Sequence, residues 1–299
     1  MMNFTVKSPG SCGELVQGVV DGQPFLITCP IDLYTALTVS DKRVVSSTLA
    51  EKSQQALSVT LDYLETGLSK DEFVRQFSFS YESALPVGKG MASSSADLSA
   101  VCQAVAVAQG RELTPDEIAD ICLAIEPTDG TFYSGIMLFD HVQGKIRRNL
   151  GHPPDMAIAI LDVGGQVDTL SFHQRTDLVV LNKSKEKEVR EATELVVAGL
   201  QRGDLSLIGQ GATLSALANQ AILYKPPLES LVRLSSRYGA YGINAAHSGT
   251  VLGLMFSVGQ DDKVKACLEE IQGTCPFVSH LKTVRLIGGG VQVMREGCL

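Results

Sequence analysis

From Ser93 onward the apolar positions Leu98, Val101, Cys102, Val105 and Ala108 recur at steps of three and four. That is the spacing of one helical face, and Gly110 ends it. Thr114-Pro115-Asp116-Glu117 then reads as a helix start, with a capping hydroxyl, proline in the first turn and acids at the positive end of the dipole. The helix it opens carries Ile118, Ile121, Cys122 and Ile125 on one face and is expected to run to Glu126, before Pro127. Residues 50–66 also read as helix. FSFSYES (77–83) alternates as a strand does, and β-branched FLITCPIDLYTALTVS (25–40) reads as extended and broken at Pro30.

The texture changes at the Gly/Pro punctuator GHPPDM (151–156). Beyond it the pattern predicts a strand in MAIAILDVGG, helices over 184–202 and 204–221, and a further helix after Pro226-Pro227. A strand in VLGLMFSV, a helix over 260–272 and a last strand, TVRLIGGGVQVM, complete the series. The result is an α+β chain of two domains, 1–152 and 153–299.

Composition narrows the function classes. A chain of 299 residues that is 44% hydrophobic and 19% charged has the apolar material for a real core. The net charge of −8, with no Trp, argues against nucleic acid as partner, because a polyanion needs a cationic face. Any anionic ligand must be met locally, by backbone amides, a few cations or a metal. No run of about 18 apolar residues suggests a membrane span. MMNFTVKSPG has no basic stretch leading into an apolar core, so no leader peptide is expected. Seven cysteines, none in a CxxC pair, fit scattered thiols in a reducing cytoplasm. Cys12, placed in a loop, is the one with a functional prospect.

The segment Pro86-Val87-Gly88-Lys89-Gly90-Met91-Ala92-Ser93-Ser94-Ser95 runs directly into the first helix described above. Its glycines let backbone approach a ligand, and its serines sit where a helix leaves N–H groups unpartnered. It is not the Walker sequence G-x-x-x-x-G-K-[ST], because Lys89 lies between the glycines and before the serines. The residue order resembles the second motif of the GHMP kinases, P-x-G-x-G-L-G-S-S-A-A, with Met91 for leucine and Ala92 for the third glycine. Two further segments carry the same resemblance. Ser8-Pro9-Gly10-Ser11-Cys12-Gly13-Glu14 is similar to the family's first motif, with Ser11 where lysine is common. Gly239 to Gly253, containing His247-Ser248-Gly249-Thr250, is similar to the third. PGSCGELVQG, LITCPIDLYT and EPTDGTFYSG resemble the branch that phosphorylates L-threonine for the aminopropanol linker of cobalamin.

The resemblance implies a two-domain GHMP kinase fold, its N-terminal domain like the second domain of ribosomal protein S5 and its C-terminal domain a ferredoxin-like α/β sandwich. It implies ATP and Mg²⁺ as cofactors and a small alcohol as acceptor, with no nucleic acid, no membrane, and one or two copies of the chain. Pro86, Gly88, Lys89, Gly90, Met91, Ala92, Ser93, Ser94 and Ser95 would wrap the triphosphate. Ser94 and Glu126 would ligate the metal, and Asp129 would face the acceptor hydroxyl as its proton acceptor or orienting group. For an amino-acid acceptor, Glu14 and Asp32 are candidates for the ammonium, and Ser11, Cys12, Ser248 and Gly249 for the carboxylate. Homoserine or isoprenoid-alcohol kinases, or a sensor of this fold without catalysis, are the alternatives. His247 is expected to be packed rather than ligand-bound.

Overall fold

The computed structural model describes residues 2–42, 47–165 and 175–295. Its centre is a pair of 18-residue antiparallel strands, β1 (Asn3–Val20) and β2 (Gln23–Ser40). The sheet grows on both sides of them through β4 (Met137–Phe139), β5 (Arg147–Asn149), β6 (Met156–Asp162), β7 (Gly242–Ala245), β8 (Val251–Ser257) and β9 (Ser279–Arg285), in the order β5-β4-β2-β1-β7-β8-β6-β9. β3 (Ser78–Ser83) pairs with β2, and β10 (Gln292–Arg295) with β1.

Two sequence expectations change here. The extended segment is not broken at Pro30. β2 continues through it, because β1 slips register opposite, at Pro9/Ser11, Ser11/Glu14 and Glu14/Val16. The missing proline N–H falls where the ladder is already irregular. The SPGSCGE stretch is therefore a bulged strand at the centre of the sheet, and Cys12 lies in the core rather than in a loop. The predicted final strand divides at Leu286–Val291, where Gly289 and Gly290 take positive φ. β9 completes the sheet beside β6, and β10 returns to the first strand of the chain.

Helices α1 (Glu51–Tyr63), α2 (Lys70–Gln76), α3 (Ser93–Ala108) and α4 (Pro115–Leu123) lie in the first half. α1, α3 and α4 share one core with Phe4, Leu37, Val39 and Phe139 of the sheet. α4 begins with the expected cap, a complete capping box between Thr114 and Glu117, and ends at Leu123, one turn earlier than predicted. After a short α5 (Leu178–Ser184), α6 (Glu186–Arg202) and α7 (Leu205–Ala218) cover the middle of β1 and β2. α8 (Leu228–Arg237) and α9 (Asp261–Thr274) cover β7, β8 and β6. The six described cysteines are free, and no described helix is long and apolar enough to cross a membrane.

Candidate active site

A cavity of about 550 Å³ opens at the N-terminal end of α3. Gly88, Gly90, Met91, Ala92, Ser93, Ser94 and Ser95 form one wall, and Glu14, Glu126, Asp129 and Ser248 line it from other elements. Unlike α4, α3 has no side-chain cap and no acid in its first turn. Its N-cap is Ala92, at φ 53° and ψ 30°, and the first intrahelical bond is Ala96 N to Ala92 O. The N–H groups of Ser93, Ser94 and Ser95 thus have no helical acceptor and stand at the positive end of the dipole. An anion is the partner such a terminus takes.

The loop is held by the other two motifs. Ser11 N donates to Met91 O at 3.0 Å, Gly13 N to Gly90 O at 3.1 Å and Thr250 N to Lys89 O at 2.9 Å. The carbonyls of Lys89, Gly90 and Met91 are thus all tied backward, away from the serines. Gly249 serves this packing, since a Cβ there would lie 2.4 Å from Gly90 Cα.

Ser94 Oγ donates to Glu126 Oε1, and Lys52 Nζ pairs with the other carboxylate oxygen. The spacing of 32 residues between Ser94 and Glu126 closes because α3 and α4 pack against each other. A hydroxyl beside a carboxylate is a hard oxygen donor set, which fits Mg²⁺ held partly by protein and partly by phosphate. Glu117, in the first turn of α4, is occupied by the cap with Thr114 and by Arg111. Asp129 takes its place through Ser95, whose Oγ accepts its backbone N–H at 3.1 Å. Burial, then the carboxylates of Glu14 and Glu126, push the Asp129 pKa up to about 7, against a smaller opposing pull from Ser95.

Glu14 is buried, and its Oε2 accepts from His247 N at 2.9 Å and meets His247 Nδ1 at 2.8 Å. Two buried lysines stand nearby. Lys185 Nζ donates to Asn219 Oδ1 at 2.9 Å and Lys225 Nζ to Ala246 O at 2.7 Å. Burial lowers each lysine to about 8, with Glu14 opposing, and burial beside the two ammoniums keeps His247 neutral. His247 is the packed loop histidine that the sequence suggested.

Other candidates fall elsewhere. Lys89 turns from the cavity to Asp162, 2.7 Å away, and to the carbonyl of Gly165, tying the loop to the end of β6. Pro86 does not line the cavity. Asp32 lies on the exposed face of β2, accepting Arg285 N at 2.8 Å. Ser11 is sealed beneath the loop, its hydroxyl without a partner among the described residues. The Cys12 side chain is fully buried against Gly253, where burial raises its thiol pKa, and it does not line the cavity. Lys52, Lys185 and Lys225 went unremarked in sequence, where an isolated lysine carries no motif and reads as solvated surface.

An uncapped helix terminus in a glycine-serine loop, facing a carboxylate–hydroxyl pair in a two-domain α+β fold, is an arrangement suited to an anionic ligand. The model of the GHMP kinases N terminal domain matches residues 54–138, and that of the GHMP kinases C terminal domain matches residues 196–273. The chain belongs to the GHMP kinases. It is 31% identical over 296 residues to an L-threonine kinase of Citrobacter freundii, covering 96% of this chain and 98% of that one. An L-threonine kinase of Salmonella typhimurium is likewise 31% identical, over 298 residues, with 96% and 94% covered. Among solved structures, homoserine kinase from Cytophaga hutchinsonii superposes with a TM-score of 0.68 at 18% identity, covering 98% of both chains.

Proposed function

We propose that this GHMP kinase transfers the γ-phosphoryl group of ATP to the hydroxyl of L-threonine, giving O-phospho-L-threonine for the aminopropanol linker of cobalamin, in the cytoplasm. The observation that carries the reading is the convergence of Ser94, Glu126 and Asp129 on one cavity at the bare N-terminus of α3. The choice of acceptor is supported by the identity to L-threonine kinases along nearly the whole chain.

Phosphoryl transfer asks for positioning and charge neutralisation more than covalent chemistry. The N–H groups of Ser93 to Ser95 hold phosphate oxygens. Ser94 and Glu126 would hold Mg²⁺, which neutralises charge on the triphosphate. Lys52, which pairs with Glu126 and lines the cavity, would place a cation at the cavity mouth beside the phosphates. Asp129, poised near neutral pH, accepts the proton leaving the acceptor hydroxyl.

The test is a panel of amino acids, sugars and isoprenoid alcohols with ATP and Mg²⁺, scored for ADP. L-threonine is expected to stimulate release most. Ser94→Ala and Glu126→Ala are each expected to lower kcat by roughly 100-fold or more, as loss of a preorganised charge-stabilising group does. Unchanged turnover in both variants would refute the site. Nucleotide binding without turnover on any alcohol would instead identify a sensor.

A further inference from the structure

A second cavity, about 130 Å³, lies beyond Gln17 and His141, which line it and the main cavity alike. Lys185, Asn182, Asn219 and His247 make its polar wall. Lys185 is 5% exposed, and its ammonium gives one N–H to Asn219 Oδ1 at 2.9 Å and one to Gln17 O at 3.3 Å. An ammonium has three donors. Among the described residues no acceptor takes the third.

Among the described residues the charges around it do not balance. Lys185 and Lys225 are two buried ammoniums, Glu14 is the buried carboxylate whose charge acts on both, and His247 is neutral. Asp129, which feels the charge of Glu14, lines the main cavity with it. An uncompensated buried cation costs several kcal/mol, so this floor of the site is built to receive an anion. The phosphates are provided for at α3. The anion wanted here is a small one attached to the acceptor.

We propose that Lys185 binds the carboxylate of an α-amino-acid acceptor in this second cavity, with the ammonium of that acceptor at Glu14 and its hydroxyl at Asp129. Lys185 is then the residue that selects amino acids over uncharged alcohols. This rests on the kinase reading above and names the feature of the acceptor that the enzyme recognises.

The experiment compares kcat/KM for L-threonine and for L-threonine amide, which is nearly isosteric and lacks the negative charge. The wild type is expected to prefer threonine by roughly 10- to 100-fold, the size of a charge-assisted contact, expressed mainly in KM. Lys185→Met is expected to lose that preference while keeping its KM for ATP. Lys225→Met removes an equally buried ammonium that lines neither cavity, and is expected to keep the preference.

A wild type that uses the amide as well as threonine overturns the proposal without any variant, even if Lys185→Met does not fold. So does a folded Lys185→Met that retains the preference. If homoserine replaces threonine as acceptor, the threonine reading fails, and homoserine against its amide decides this proposal by the same ratio. Activity confined to sugars or isoprenoid alcohols overturns both.

Discussion

Ala92 sits in left-handed backbone at φ 53° where its family commonly has glycine. That conformation costs an L-residue about 1–2 kcal/mol, whereas glycine would add about 0.4–1 kcal/mol of unfolded-chain entropy. The strain is the larger effect. Ala92→Gly is therefore expected to stabilise the protein by about 0.5 kcal/mol, measured by urea unfolding. A loss of stability would show that the alanine methyl, which is buried, contributes more packing than its backbone costs. Asp129 is the second residue whose environment sets its behaviour. With a pKa of about 7 it is ionised only above neutrality, so kcat/KM should rise as pH increases through about 7. Asp129→Asn should remove that limb and lower kcat by about 100-fold or more in a pH–rate profile. Stability runs the opposite way. A carboxyl whose folded pKa exceeds its unfolded value of 3.8 contributes most at low pH, and that contribution is lost as pH rises through about 7. Asp129→Asn should consequently gain stability over the parent at pH 8 relative to pH 5 in paired thermal melts.

At the scale of elements, the glycine-serine loop is held between three others. β1 binds its Gly90 and Met91 carbonyls, the β7–β8 turn binds that of Lys89, and the Lys89 side chain reaches the end of β6. The glycines of the third motif let two backbones touch. A methyl at Gly249 would meet Gly90 Cα and Lys89 O, both at 2.4 Å, and neither is a flexible side-chain end. Gly249→Ala should push the loop out of its seat, raising KM for ATP by roughly 10-fold while circular dichroism stays native. An unchanged KM would mean that the loop takes its active shape without this contact. The same element explains why Lys89, a plausible phosphate cation in sequence, is spent on positioning.

Across the whole molecule the sheet joins what the chain separates. β1 carries the first motif in its bulges, pairs with β2, and touches β7 at Glu14 opposite Ala245, next to the third motif. β10 returns from the far end of the sequence to β1. That closure brings Glu14, Ser94, Glu126, Asp129 and Ser248 around one cavity although 234 residues separate the first from the last. Much of this was legible beforehand. Helical periodicity located α1, α3 and α4, the capping residues located the start of α4, and motif order paired Ser94 with Glu126. Cys12 reads as a loop residue because Pro9, Gly10 and Gly13 look like a turn, and only pairing with β2 and β7 makes that stretch a bulged central strand. That Asp32 falls on the exposed side of β2 likewise depends on neighbouring strands. Lys52, Lys185 and Lys225 were missed because a lysine becomes informative only when burial or a partner makes its charge costly.

What the sequence determined by itself is therefore local and short-range: helix starts, turn glycines, apolar faces and the residue order of three motifs, each set by backbone sterics, hydrogen bonding within a turn and the period of burial. What tertiary structure alone decided is where charge comes to lie. Burial of Glu14 with two lysines, the raised Asp129, and the turn of Lys89 away from the cavity all depend on distant strands meeting. Electrostatic free energy is governed by through-space distance and by the exclusion of water, and neither is written in the spacing of residues along a chain.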